Sequence, residues 1–238
     1  MLQPTEIDRL LVVMAHPDDV DFGSAGTMAW LVGHGVQVTY CLVTDGDAGG
    51  DDRDLPRHEM AAQRRREQTA AAHAVGVTEL VFLGHPDGRV QPTLELRRDI
   101  SRVIREVRPR VVVCQSPDRN LDRVFASHPD HLAAGEAALC AVYPDARNPF
   151  AFPELLDAGH EPWTVEEVWL SGHPSAADAI DVTDHVDTKF RALLSHASQH
   201  TDPEGMQIRV REWMRLTAVA AGMPEGRYAE VFRVLRTA

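Results

Sequence analysis

Positive charge is in short supply in this chain. Its 238 residues hold 24 Lys and Arg against 36 Asp and Glu, a formal net charge of −12. Nucleic acid and anionic membranes both bind clustered positive charge, so this balance argues against either as the main partner. Lysine is almost missing: Lys189 is the only one, and arginine carries the rest, which fits a GC-rich genome and points to no function. Cysteine is sparse as well. Cys41, Cys114 and Cys140 stand apart in apolar contexts with no C-x-x-C pair, an odd set that reads as reduced core thiols rather than a disulfide framework. No apolar run approaches the length of a membrane span, and residues 1–9 lack the basic-then-apolar order of a signal peptide. A cytoplasmic enzyme is therefore the expectation. Internal repeats, low-complexity tracts and linker-like stretches are absent too.

What is present is an ordinary soluble composition, 44% apolar and 25% charged, long enough to bury a large core. Residues 10–14 (LLVVM) are continuously apolar, as in a strand buried on both faces. Residues 36–44, 79–83 and 111–115 read as further strands. Helices are expected over 26–32, 57–75 (closed by Gly76), 93–107 (Thr93 as N-cap) and from His128 to about 142. This alternation predicts right-handed βαβ crossovers and an α/β fold: a Rossmann-like three-layer sandwich with a mostly parallel central sheet. Residues 143–162, proline-rich and without periodicity, are expected to form a loop over the mouth of the site. Short strands at 167–170 and 179–182, helices at 186–195 and 206–221, and a closing strand at 229–235 complete the chain. One domain over 1–238 is expected, with a catalytic core at about 8–142 and lid and closing elements over 143–238.

Two motifs carry chemistry. Ala15-His16-Pro17-Asp18-Asp19 follows the first strand, and His128-Pro129-Asp130-His131 opens a later helix. Pro17 stiffens the first turn. Both lie where an open parallel sheet gathers its chemistry, beyond the carboxyl ends of the strands. Positions 128 and 131 share one helix face, so one imidazole can bind a metal while the other reaches a substrate. A catalytic zinc site uses three protein ligands of histidine and carboxylate type and keeps a position for water. His16, Asp19 and His131 supply that set, and Asp18 is left free as a base.

In these two motifs, and in the order of elements over roughly residues 10–140, the chain resembles the PIG-L/LmbE-like zinc deacetylases, which include the mycothiol and bacillithiol pathway enzymes. The resemblance implies a Rossmann-like fold and hydrolysis of an acetamide on an N-acetylglucosamine-like substrate. It makes His16, Asp19 and His131 the ligands of one Zn2+ and Asp18 the general base. His128 becomes the group that stabilises or protonates the tetrahedral intermediate, and Asp130 orients the His128 imidazole and favours its charged form. Arg64 and Asp87 are similar in position to substrate contacts, although Arg65 and Arg66 adjoin Arg64 and only the helix register chooses among them. His85 stands before Pro86 where some relatives have an aromatic or apolar residue. Some relatives assemble, so a homo-oligomer is expected. His/Asp ligands alone do not separate zinc from other divalent metals.

Blander readings compete at several positions. Arg64 on a solvated helix face is one, and Asp130 as a helix N-terminal carboxylate is another. Asp45, Asp47, Asp51 and Asp52 read as loop solvation, with Asp45 at the rim. His196 and His200 read as surface or C-terminal capping groups. Trp163 and Trp169 read as packing rather than a sugar platform. Amidase action on a thiol conjugate or a secondary metabolite is the alternative within the same chemistry. A non-catalytic sugar-binding protein is a different one, disfavoured by the intact base and ligands. A dinucleotide-binding module would use Gly23, Gly26 and Asp45, but G-x-G is absent and Asp18, Asp19 and Asp21 fill the phosphate turn. Like charges at ~4 Å cost roughly 1 kcal/mol in water and about 4 near a protein surface, so pyrophosphate is repelled and a cation is favoured.

Overall fold

A computed structural model describes residues 1–50, 52 and 54–237; Asp51 lies outside the described residues. A seven-stranded sheet runs in the order β3-β2-β1-β4-β5-β7-β6. Strands β1 (Arg9–Met14), β2 (Gln37–Thr44), β3 (Glu79–His85), β4 (Val111–Gln115) and β5 (Glu167–Ser171) are parallel. Strand β7 (Ala229–Arg236) pairs antiparallel with both β5 and the short β6 (Asp178–Asp181).

The two faces of β1 belong to separate cores, as its continuous apolar run requires. Leu10, Val12 and Met14 pack with α2 (Ala25–Gly33), α3 (Arg57–Val75), α7 (Val186–Leu194) and α8 (Pro203–Ala220). Leu11 and Val13 pack with α4 (Leu94–Val107) and α5 (Pro129–Cys140) on the other face. This is the three-layer sandwich that the sequence predicts. The chain leaves β1 toward β2 on one side, and its other neighbour, β4, leads away toward β5. A crevice therefore opens beyond the carboxyl ends of β1 and β4, at the point where strand order reverses. Both motifs lie at that crevice.

Two segments differ from expectation. A short helix, α1 (Asp19–Gly23), begins directly on Asp19 and precedes α2. Residues 143–162 form no cover over the crevice. They include a short helix, α6 (Pro153–Asp157), and sit against α4, where the buried guanidinium of Arg105 donates to the carbonyls of Asp145, Ala146, Asn148, Ala151 and His160. Trp163 Nε1 donates to the Pro109 carbonyl just before β4 begins, at the opposite end of the sheet from the crevice. An arginine that satisfies five carbonyls is why a proline-rich segment without periodicity stays packed there. Trp169 is core, donating to Glu167 Oε2 and lying against Phe232. No helix among the described residues is long and apolar enough to cross a membrane.

Candidate active site

The turn after β1 is held in place before any side chain reaches into the crevice. Gln115, the last residue of β4, accepts the Ala15 N–H at 2.9 Å and so ties the ends of the two central strands together. Gly135 lets α5 approach, since a Cβ there would collide with the Gln115 carbonyl. That close approach brings the first turn of α5, with His131, over the β1 turn.

Five side chains of the two motifs, those of His16, Asp19, His128, Asp130 and His131, then converge with Asp87, from the turn after β3. The Asp19 carboxylate lies between two imidazoles, its Oδ1 3.0 Å from His131 Nε2 and its Oδ2 3.3 Å from His16 Nδ1. On the other side of the His16 ring, Nε2 lies 3.1 Å from Asp87 Oδ1 and 3.2 Å from Asp130 Oδ2. The rings of His16, His128 and His131 have mutual centroid distances of 5.1–5.3 Å. Two donor sets overlap on His16: with His128 and His131, and with Asp87 and Asp130, each set having ligand atoms within 4.8 Å of one another.

This electrostatic setting fits a divalent cation. Burial works to lower the His16 pKa, yet hydrogen bonds to Asp130 and Asp19, the charge of Asp19 and the bond to Asp87 raise it to about 12. Burial raises the Asp19 carboxyl, but the charge and hydrogen bond of His131, with His16, hold it well below the usual range. Asp87 is likewise held at about 2, against burial, by His16. An imidazole that retains a proton so strongly marks a pocket of negative potential. With His16 Nδ1 turned to Asp19 and Nε2 turned to Asp130 and Asp87, one ring nitrogen is available to an ion while the other donates to a carboxylate, the arrangement usual for metal-binding histidines.

Asp18 has a different environment. Its backbone is left-handed, φ 86° and ψ −27°, a conformation that costs a non-glycine residue about 1–3 kcal/mol. Its N–H donates to Gln68 Oε1 at 2.7 Å. Its carboxylate accepts from Arg64 Nη2 at 2.9 Å, and the same nitrogen donates to the Pro17 carbonyl at 2.6 Å. Burial raises its pKa to about 6, against the lowering charge of Arg64 and with that of Asp19. Arg64 is 4% exposed, on the stripe Met60, Arg64, Gln68, Ala71, Ala72 and Val75 that α3 turns inward, so the solvated-face reading of Arg64 is excluded. Arg65 and Arg66 are exposed.

The role expected of Asp130 needs correction. Its carboxylate accepts from the Gly88 and Val90 N–H groups and faces His16, not the His128 ring. Only its backbone touches His128: the Asp130 N–H donates to His128 Nδ1 at 3.1 Å, in the manner of a helix cap. Nor is the charged form of His128 favoured, because burial and the neighbouring His16 and His131 lower its pKa despite Asp130. With Nδ1 accepting, the proton of the neutral ring sits on Nε2.

The acidic loop is more than solvated. Asp45 pairs with Arg65 at 2.7 Å and Asp47 with Arg57 at 2.8 Å, and the Ala48 N–H donates to Asp87 Oδ2 at 2.9 Å. The His85 ring pairs with Asp99 on α4, its Nε2 3.0 Å from Oδ2. His200 follows its expected capping role, its Nε2 3.0 Å from the Leu193 carbonyl. His196 does not: it is fully buried, 2.8 Å from Asp21. The expectation of a surface or capping group at His196 is overturned.

Comparison with known proteins follows the same lines. Residues 11–142 match the PIG-L family, described as GlcNAc-PI de-N-acetylase. A diacetylchitobiose deacetylase of Thermococcus kodakarensis is 32% identical over 229 residues, 96% of this chain and 83% of that protein. A probable N-acetyl-alpha-D-glucosaminyl L-malate deacetylase of Bacillus anthracis is 30% identical over 80% of this chain and 81% of its own length. Among solved structures, N,N′-diacetylchitobiose deacetylase from Pyrococcus horikoshii, in complex with its inhibitor MPG, superposes with a TM-score of 0.89 at 29% identity, covering 98% of this chain and 85% of that one.

Proposed function

The chain belongs to the PIG-L family of de-N-acetylases, and from that membership we propose that it is a zinc-dependent hydrolase that removes the acetyl group from an N-acetylglucosamine-like amide. The observation that carries this reading is the Asp19 carboxylate lying between His16 and His131, with the Asp18 carboxylate, one residue earlier, held by Arg64 and within reach of the charges of Asp19 and His16.

His16, Asp19 and His131 would hold the ion, which when bound supplies Lewis acidity and brings a water pKa from 15.7 toward about 7. Asp130 and Asp87 accept from the second nitrogen of His16 and fix its ring. Asp18 takes the proton of the attacking water as the C–O bond to the acetyl carbon forms, a contribution of typically ~10²–10⁴-fold. Arg64 keeps that carboxylate ionised and aimed. The carbonyl oxygen, gaining negative charge, receives the Nε2–H of neutral His128, which acts as a hydrogen-bond donor and not as an acid. Asp18 then returns its proton to the departing nitrogen as the C–N bond breaks, leaving acetate and a free amine. Arg64 serves the base here, in place of the direct sugar contact that the resemblance implies.

Free-amine release is the test, measured over a panel of N-acetylated sugars including N,N′-diacetylchitobiose and N-acetylglucosaminyl malate, with metal content determined on the same samples. Release that depends on the metal and falls by ~10² or more in Asp18→Ala at unchanged metal content supports the reading. Equal activity in that variant removes Asp18 as the base. A metal-loaded enzyme inert on every acetamide, but active on a thiol-conjugate amide, replaces the substrate class.

A further inference from the structure

Behind the Asp18 turn, away from the crevice, lies a buried polar chain that the reaction has not used. His196 Nε2 donates to Asp21 Oδ2 at 2.8 Å. The same oxygen accepts from Gln68 Nε2 at 2.9 Å, and Gln68 Oε1 in turn accepts the Asp18 N–H at 2.7 Å. His196, Asp21 and Gln68 are all 0% exposed. We propose that Gln68 and His196 are positioning residues for Asp18, the buried chain from His196 through Asp21 fixing the Gln68 amide so that its oxygen holds the base in its left-handed conformation. This rests on the reading of Asp18 as the base.

A carboxamide can turn either end toward a neighbour. Here Asp21 offers only acceptor atoms to Gln68 Nε2, so the amide oxygen must face Asp18. The N–H that Gln68 binds belongs to a residue whose backbone is strained, and a strained backbone persists only when its surroundings over-determine it. A chain of this kind is a poor device for stability alone. Asp21 Oδ1 and His196 Nδ1 are buried with no hydrogen-bond partner, and apolar side chains of similar volume generally serve a core as well or better.

The anchoring of the outer end points the same way. Ser198 donates through N and Oγ to the two Glu67 oxygens, at 3.0 and 2.7 Å, so the segment carrying His196 is pinned to α3 beside Gln68. On α7, Lys189 Nζ donates to the carbonyls of Asp21 and Phe22 and pairs with Glu230, which accepts from the Gly26 and Thr27 N–H groups at the start of α2. The five-residue helix α1 is thus gripped along its length by α7 and the segment after it, and it can move only if they move.

The test uses the zinc-loaded full chain with Gln68→Met, His196→Phe and His196→Gln. Four quantities are read: kcat and KM for amine release from N,N′-diacetylchitobiose, metal content, and hydrogen–deuterium exchange at the Asp18 amide without substrate. The expected result for Gln68→Met and His196→Phe is a kcat at least tenfold lower with KM within twofold, metal content unchanged and faster exchange at Asp18. His196→Gln keeps a donor for Asp21 and recovers most of the kcat. Wild-type kcat and exchange in both variants overturn the proposal, as does a loss that follows metal content or KM. Asp18→Asn is assayed alongside. Full turnover there rejects the base reading itself, whereas a silent Asp18→Asn beside fully active Gln68→Met rejects only the positioning. If His196→Phe does not fold, Gln68→Met and Gln68→Ala, on the long helix α3, carry the same readouts.

Discussion

Replacing Arg64 by Met separates two roles that the same side chain could play. The guanidinium is 4% exposed and donates to the Pro17 carbonyl, to Asp18 Oδ2 and to the Gly46 carbonyl. Methionine keeps much of the apolar stem and removes the charge. Removing one partner of a buried ion pair typically destabilises by about 3–5 kcal/mol. The Asp18 side chain keeps 18% exposure, so the lower end applies, about 3 kcal/mol, or a Tm lower by roughly 6–12 °C for a chain of this size. The kinetic effect is more specific. As the proposed base, Asp18 must be ionised to take a proton, so on that proposal kcat/KM falls as pH drops through its pKa. Burial holds that pKa up and Arg64 opposes it. Without Arg64 the carboxylate is less favoured, and the acid limb of kcat/KM moves up by about one to three pH units. The profile from pH 4.5 to 9 reads this directly: activity is lost most near neutrality and recovers at higher pH. An unmoved acid limb with a raised KM refutes the reasoning and makes Arg64 a substrate contact.

Three further outcomes follow from the same geometry. His131→Ala loses an imidazole 3.0 Å from Asp19 and should bind less than one metal per chain by elemental analysis; full metal content rejects the ligand set. His128→Ala removes the Nε2–H donor and should lower kcat by about 10²–10³-fold at unchanged metal content, while a change confined to KM denies it that role. Lys189→Met leaves Glu230 buried and unpaired, both side chains being 0% exposed. Calorimetry should show a loss of about 3–5 kcal/mol, and an unchanged Tm contradicts the clamp on α1 and α2.

The sheet was legible because its strands are unambiguous. A run such as 10–14, apolar at every position, has one reasonable home in a sheet covered on both faces, and the glycine that closes α3 is in place at Gly76 in a left-handed cap. The meeting of His16 with His131 was legible from strand-to-helix junctions alone, because strand order places the turn after β1 beside the turn after β4. Register on α3 is legible in the same way. Met60, Arg64, Gln68, Ala72 and Val75 recur at helical spacing, and that stripe selects Arg64 over Arg65 and Arg66.

The target of the Asp130 carboxylate was not legible. Spacing puts Asp130 near His128, but the backbone of the β3 turn supplies two N–H groups that draw the carboxylate toward His16. His196 was hidden for a related reason. A histidine past a helix end usually meets solvent, and nothing local announces that Asp21, 175 positions earlier, will bury beside it. Residues 143–162 read as a loop over the site because proline-rich, aperiodic sequence usually stays at the surface, and their packing depends on one distant side chain, Arg105.

The ligand set is open to direct observation by anomalous scattering at the zinc edge from a crystal of the zinc-loaded protein. The account predicts one peak at about 2.0–2.2 Å from a nitrogen of His16, a nitrogen of His131 and an oxygen of Asp19, with Asp18 beside it and not bound. A peak held by His16, Asp87 and Asp130, or one that Asp18 itself ligates, would contradict it.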